Sequence, residues 1–172
     1  MKKNIAFLIP FLIALLLAGC GTQQPQNAEE FRQAIPGAFM GKVETVEINR
    51  SFRDVAATWQ KRAPECLNVT VRSTDTGSAG AHTVVAVYKP TVIAGKERAE
   101  LHVQVDYKAG VLNVGTVPPG GYYRLVADAY PLEGSRTRLQ WYGPSRGMDV
   151  VVKAIKSWAS GENLGCPDLT KQ

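Results

Sequence analysis

The sequence predicts an α+β fold in which one antiparallel sheet of about six or seven strands packs on two main helices. Three observations carry this reading. Over residues 96–107 apolar and polar residues alternate, with Leu101, Val103, Val105 and Tyr107 on one side and Glu100, His102, Gln104 and Asp106 on the other. Two other stretches repeat apolar residues at helical spacing. The connections between strand-like stretches are short and rich in Gly, Pro and Ser, so neighbouring strands are expected to run antiparallel.

After a polar stretch from residue 21 to about 27, Phe31 and Ile35 begin a short helix that Pro36 and Gly37 end. Val46 and Ile48 alternate with Thr45, Glu47 and Asn49 as a first strand. Ser51 then opens a helix: its hydroxyl accepts a free N–H, and Asp54 reaches back towards the positive helix end. Phe52, Val55, Ala56, Trp59 and Ala63 share one face, which predicts core, and Pro64 predicts the stop. Leu67, Val69 and Val71 predict a second strand, residues 73–81 a loop, and residues 83–88 a third strand.

The long strand of residues 96–107 follows, with one face buried and one wet. Lys108, Ala109 and Gly110 predict a turn into a strand at 111–115. Beyond Pro118-Pro119-Gly120-Gly121, residues 122–130 and 137–142 read as two more strands joined across 132–135. Asp149 predicts the cap of a last helix in which Val151, Ala154, Ile155 and Trp158 share a face. Lys153, Lys156 and Ser157 are expected to point outward, and Gly161 supplies the left-handed residue that ends the helix. Trp59 and Trp158 then belong to the inner side of the sheet. This order of elements, over roughly residues 42–160, is similar to the helix-grip arrangement of START-like lipid-binding domains, also seen in a lipoprotein subunit of the outer-membrane β-barrel assembly machine. The resemblance implies a sheet and closing helix that grip an apolar molecule, and it transfers no binding residues.

The N-terminus carries Lys2 and Lys3 followed by 15 uncharged residues, 5–19. A membrane-crossing helix needs about 20 apolar residues, whereas the core of a secretory signal needs about 7–15. Leu17-Ala18-Gly19-Cys20 closes the segment and resembles the lipobox of bacterial lipoproteins. That resemblance implies cleavage before Cys20, a diacylglycerol on its thiol and an acyl chain such as palmitate on the new amine. Each buried methylene adds about 0.8 kcal/mol, so two or three chains hold a protein at a membrane. Gly21 in place of Asp implies the periplasmic face of the outer membrane in a Gram-negative host; a Gram-positive host would display the chain on its single membrane. The expected organisation is a signal peptide at 1–19, a lipidated tether with a short helix at 20–41, and an α+β domain at 42–172.

With Cys20 committed to lipid, Cys66 and Cys166 remain as a pair in an oxidising compartment, and they predict a disulfide. Closing a loop of about 100 residues is worth roughly 4–5 kcal/mol in the disputed chain-entropy model. Metal binding is the alternative, and two cysteines without nearby histidine make a poor site. Loss of Lys2 and Lys3 with the signal takes the formal charge from +5 to +3, spread along the chain without a basic run. Nucleic acid is therefore not implied.

No catalytic, cofactor or metal residue is expected. His82 and His102 lie 20 positions apart, and His102 near Glu100 and Asp106 reads as part of a solvated strand face. Pro118-Pro119-Gly120-Gly121 reads as a turn rather than a phosphate loop, Asn68-Val69-Thr70 as an accidental glycosylation match, and Ser145 lacks a nucleophile-elbow sequence. One constellation is less plain: Tyr122, Tyr123, Tyr130, Trp141 and Tyr142, with Arg124, Arg136, Arg138 and Arg146 nearby. Such residues are enriched at interfaces, and ordinary cross-strand packing also explains them. The expected function is a non-enzymatic, lipid-anchored module that binds another envelope protein or a surface. The alternative is a helix-grip carrier of an apolar lipid-like molecule, which needs a cavity of about 300 Å³ or more. An enzyme built around His102 and Asp106 ranks third.

Overall fold

The computed structural model describes residues 24–77, 80–109, 116–162 and 164–170. The signal segment, Cys20 and the strand expected at 111–115 lie outside the described residues. The elements are α1 (Ala28–Ala34), a 3-10 turn (Ile35–Gly37), β1 (Gly41–Ile48), α2 (Phe52–Leu67), β2 (Thr70–Gly77), β3 (Gly80–Ala94), β4 (Ala99–Ala109), β5 (Tyr122–Leu132), β6 (Arg136–Pro144) and α3 (Asp149–Ser160). The six strands form one sheet in the order β1-β6-β5-β4-β3-β2, and every neighbouring pair is antiparallel. The class is the expected α+β, with α2 and α3 on one face of the sheet.

That inner face is apolar because alternate residues of adjacent strands coincide on it. Leu101, Val103 and Val105 of β4 meet Leu125, Ala127 and Ala129 of β5 and Leu139 and Trp141 of β6 in one core with α2 and α3. Val55, Trp59, Ala63 and Leu67 fill the core from α2, and Val151, Ala154, Ile155 and Trp158 from α3. The two helices also meet directly, since the Trp59 indole Nε1–H donates to the Ile155 carbonyl at 3.3 Å.

Several local expectations change. Pro64 sits inside α2 and does not end it. The carbonyl it leaves without a helical donor belongs to Gln60, an exposed residue where water serves, and the turn beyond buries Cys66 and Leu67. Leu67 is thus helical, and β2 starts at Thr70. The stretch 73–81 is mostly strand: β2 and β3 stay in register from Thr70 opposite Val87 to Gly77 opposite Gly80. Pro90 is tolerated in β3 because β2 ends short of it, so that side of the strand is an edge. Asp149 is the first residue of α3, and Met148 holds the cap position without a side-chain hydrogen bond. Ser157, expected to point outward, is buried and donates to Glu162 Oε2 at 3.1 Å.

The largest correction concerns the outer face. The side of β4 that carries Glu100, His102 and Gln104 was expected to be wet, yet α1 lies across it, and His102 and Gln104 are each 7% exposed. Phe31 and Ile35 of the α1 segment form a second small core with Val126, Tyr123 and Tyr142. The short helix expected beyond residue 27 is therefore part of the fold; the Asn27 side chain caps α1 by accepting from the Glu30 N–H at 2.9 Å.

Candidate functional site

Six strands spaced about 4.8 Å apart make a sheet roughly 24 Å wide, and two helices each about 10 Å across do not cover it fully. α3 packs against α2, and between α3 and the β1–β6 margin lies a groove of about 390 Å³. Its floor is apolar: Ile48 of β1, Leu125 of β5, Trp141 of β6, and Met148 and Val152 at the helix side. Helical periodicity sorts α3 into two stripes. Val151, Ala154, Ile155 and Trp158 enter the core, whereas Val152, Lys156 and Ser160, spaced four apart, face the groove with Lys153.

The polar groups of the groove sit around its rim. Lys42 and Glu44 of β1 form an ion pair with each other. Glu162 accepts from Ser157. Lys156 holds its ammonium 5.4 Å from the centroid of the Trp141 ring, within the range of a cation–π contact. Among the described residues, neither Lys153 nor Lys156 forms an ion pair with an acidic side chain, so two cations face the groove without a carboxylate partner. Asp149 also lines the rim and Lys156 rests on Trp141, so the apolar floor with two lysines free of carboxylate partners at one wall suits an amphipathic molecule with a negative end.

The outer face holds a different kind of site. Glu100 and Asp128 stand directly opposite each other on β4 and β5, an arrangement of like charges that repels unless a cation intervenes. Arg32 of α1 supplies it. Its Nε and Nη2 donate to the two Asp128 oxygens at 2.8 and 2.7 Å, and Nη2 also donates to Glu100. Asp128 is fully buried and Arg32 is 8% exposed. Burial alone would lower the Arg32 pKa, but the bonds to Asp128 and Glu100 outweigh it and hold the group above its ordinary range. Burial likewise would raise the Glu100 pKa, and its bonds with Arg32 and His102 bring it below the ordinary carboxylate value. His102 Nε2 lies 3.0 Å from Glu100, while Asp106 is engaged by Lys89 and Lys108. The pairing of His102 with Asp106 on which an enzyme reading rested is not formed. The arrangement is a fixed clamp: every acid in it is matched, and α1 covers it.

The aromatic set read from the sequence does not share one surface. Tyr122 turns inward, its ring 6.2 Å from that of Tyr107, and Trp141 is buried at the groove. Tyr123 and Tyr142 pack on the outer face under α1, and Tyr130 lies beneath the Arg138 guanidinium, 4.8 Å from its ring centroid. The reason is the period of two along a strand, which sends sequence neighbours such as Trp141 and Tyr142 to opposite faces. Arg124 is half-buried, with its Nε enclosed and without a hydrogen-bond partner. Cys66 and Cys166 are joined in a disulfide with Cα atoms 4.9 Å apart, which pins the C-terminal segment to the end of α2. Arg32, Asp128 and the groove residues Ile48, Leu125, Met148 and Val152 were not singled out from the sequence. For Arg32 the available signal was a lone arginine between Phe31 and Ile35 in a short amphipathic helix.

No family model matches the chain, and no curated protein matches it. Among solved structures, norcoclaurine synthase from Thalictrum flavum in complex with dopamine and hydroxybenzaldehyde is similar at a TM-score of 0.34 and 13% identity, covering 70% of this chain and 85% of that one. The di-domain ARO/CYC StfQ from the steffimycin biosynthetic pathway is similar at a TM-score of 0.28 and 12% identity, covering 75% of this chain and 47% of that one. Likeness of this degree carries no argument about activity, so the groove and the clamp stand on their own geometry.

Proposed function

We propose that this chain is a lipid-anchored envelope protein that binds an amphipathic small molecule, without chemical conversion, in the groove between α3 and the β1–β6 margin. The observation that carries the proposal is the groove of about 390 Å³, with Trp141, Leu125 and Val152 lining it and Lys153 and Lys156 beside them without carboxylate partners. Its size exceeds the lower bound of about 300 Å³ for a small-molecule pocket. The ligand's apolar part lies on Trp141, and its acidic end meets the two lysines. The anchor on Cys20 places the domain at the outer membrane's periplasmic face, where such molecules are held in the bilayer. A protein partner in the envelope was the first expectation; the dispersal of the tyrosines and Trp141 over two faces moves the weight to the groove.

Saturable binding of cis-parinaric acid, an anionic polyene fatty acid, tests this reading. One site per chain is expected. Val152→Trp, which fills the groove, is expected to abolish binding, and Lys153→Gln with Lys156→Gln to weaken it about tenfold or more. Binding that is non-saturable, or unchanged in Val152→Trp, sinks the proposal.

A further inference from the structure

We propose that one end of the sheet is a bilayer-contacting surface, in which Phe39 and Met40 enter the interfacial layer of the membrane and Arg146 meets lipid phosphates. This rests on the reading that Cys20 is acylated. Three connections meet at this end. β1 begins at Gly41, opposite Pro144, the last residue of β6, and β5 begins at Tyr122, opposite Val105. Phe39 and Met40 directly precede β1, and the Met40 carbonyl accepts from the Ser145 N–H at 2.7 Å, which joins their turn to the β6–α3 turn. Phe39 is fully exposed, Met40 is 45% and Val117 37% exposed. Exposed apolar tips of this kind on a soluble face are costly in water and suit an interface.

Two further observations choose a bilayer over other occupants. The first is charge. Residues 37–41, 116–121 and 143–148 make up the described turns at this end, and they contain no acidic residue and one cation, the exposed Arg146. The turns 95–98 and 133–135 at the opposite end carry Lys96, Glu97, Arg98 and Glu133. Described turns without carboxylates, with exposed Asp149 following only at the start of α3, suit an anionic lipid surface. The second is the chain that leads to the anchor. Gln26 Nε2 donates to the carbonyls of Thr116 and Gln24, at 3.0 and 2.9 Å, which fixes Gln24 beside the 116–121 turn. Cys20 precedes Gln24 by four residues, a reach of at most about 14 Å when extended. An acylated Cys20 therefore holds this end, and not the charged one, within that distance of the headgroups. Pro144, Ser145 and Met148 line the groove and belong to the same turn region, so one mouth of the groove opens beside the membrane.

The test uses the full-length acylated chain reconstituted in vesicles of phosphatidylethanolamine and phosphatidylglycerol whose acyl chains carry bromine, a short-range quencher of tryptophan. Phe39→Trp places a probe at the proposed contact. Ile93→Trp places one at the opposite end, where Ile93 is 51% exposed. Emission added by Phe39→Trp is expected to shift to the blue and to lose most of its intensity, while that added by Ile93→Trp is unchanged. Vesicle-bound protein in which neither probe is quenched, or both are quenched alike, overturns the docking and leaves the anchor standing. Shielding of the probe at position 39 without lipid, rising with protein concentration, assigns the surface to a second copy and also overturns it. An intact mass without acyl chains overturns the anchor alone; quenching at position 39 of that chain on added vesicles then supports the contact, and its absence overturns it.

Discussion

The most consequential single residue is Arg32. Two facing carboxylates on adjacent strands, one of them fully buried, form a stable pair only with a shared cation, and the arginine of a helix 68 and 96 positions away provides it. The planar guanidinium suits the task because it makes a two-pronged contact with Asp128 while a remaining N–H reaches Glu100. Arg32→Leu is expected to cost about 3–5 kcal/mol, since it leaves Asp128 buried without a counter-charge. The same change combined with Asp128→Leu is expected to restore most of that loss, and urea unfolding of the two variants checks both statements. A loss that the second substitution deepens would show that the clamp adds net stability. Gly41 is tight in another way: a Cβ there would stand 1.9 Å from the Ile35 carbonyl oxygen. Gly41→Ala is therefore expected to displace the turn that links α1 to β1, with loss of α1 protection in amide exchange.

Among the elements, α1 is the least predictable from its own composition. It has 7 residues, too few to be stable alone in water, so it exists because Phe31, Ile35 and Arg32 dock on β4, β5 and β6. Its attachment should depend on pH through Glu100. The folded-state pKa of this group lies below its ordinary value of 4.5, so its contribution to stability is complete above that value. It is lost as pH falls from about 4.5 through the lower folded-state pKa. Glu100→Gln is expected to flatten the acid side of the stability profile, and a profile identical to that of the parent chain between pH 5 and pH 3, at roughly that range of carboxylate titration, counts against the assignment. The outer side of β4 was legible as polar but not as covered. Alternation reports which residues differ in character, and it is silent on whether water or an arginine meets the polar set.

For the whole molecule, the disulfide and the groove are the two long-range features. The Cys66–Cys166 bond spans 100 positions and holds Leu169 against the core, where it is 6% exposed. Replacement of both cysteines by serine is expected to lower stability by roughly 4–5 kcal/mol in the chain-entropy model, read as a fall in urea midpoint with α2 and α3 still folded. The groove arises from the same arrangement at a larger scale. Two helices share one face of six strands, α3 takes its position from Trp59 and α2, and the β1–β6 margin is left open.

The sequence by itself determined the α+β class, the antiparallel sheet, the inward faces of α2, β4 and α3, and the partnership of the two cysteines left after Cys20. These follow from periods of two and 3.6 and from residue counts, which are local quantities. Only the tertiary structure decided that Pro64 stays helical, that His102 is covered, that Tyr122 and Tyr123 part company, and that α3 leaves a groove beside Trp141. Each of these depends on which distant segment arrives at a given face, and burial by such a partner outweighs local preference.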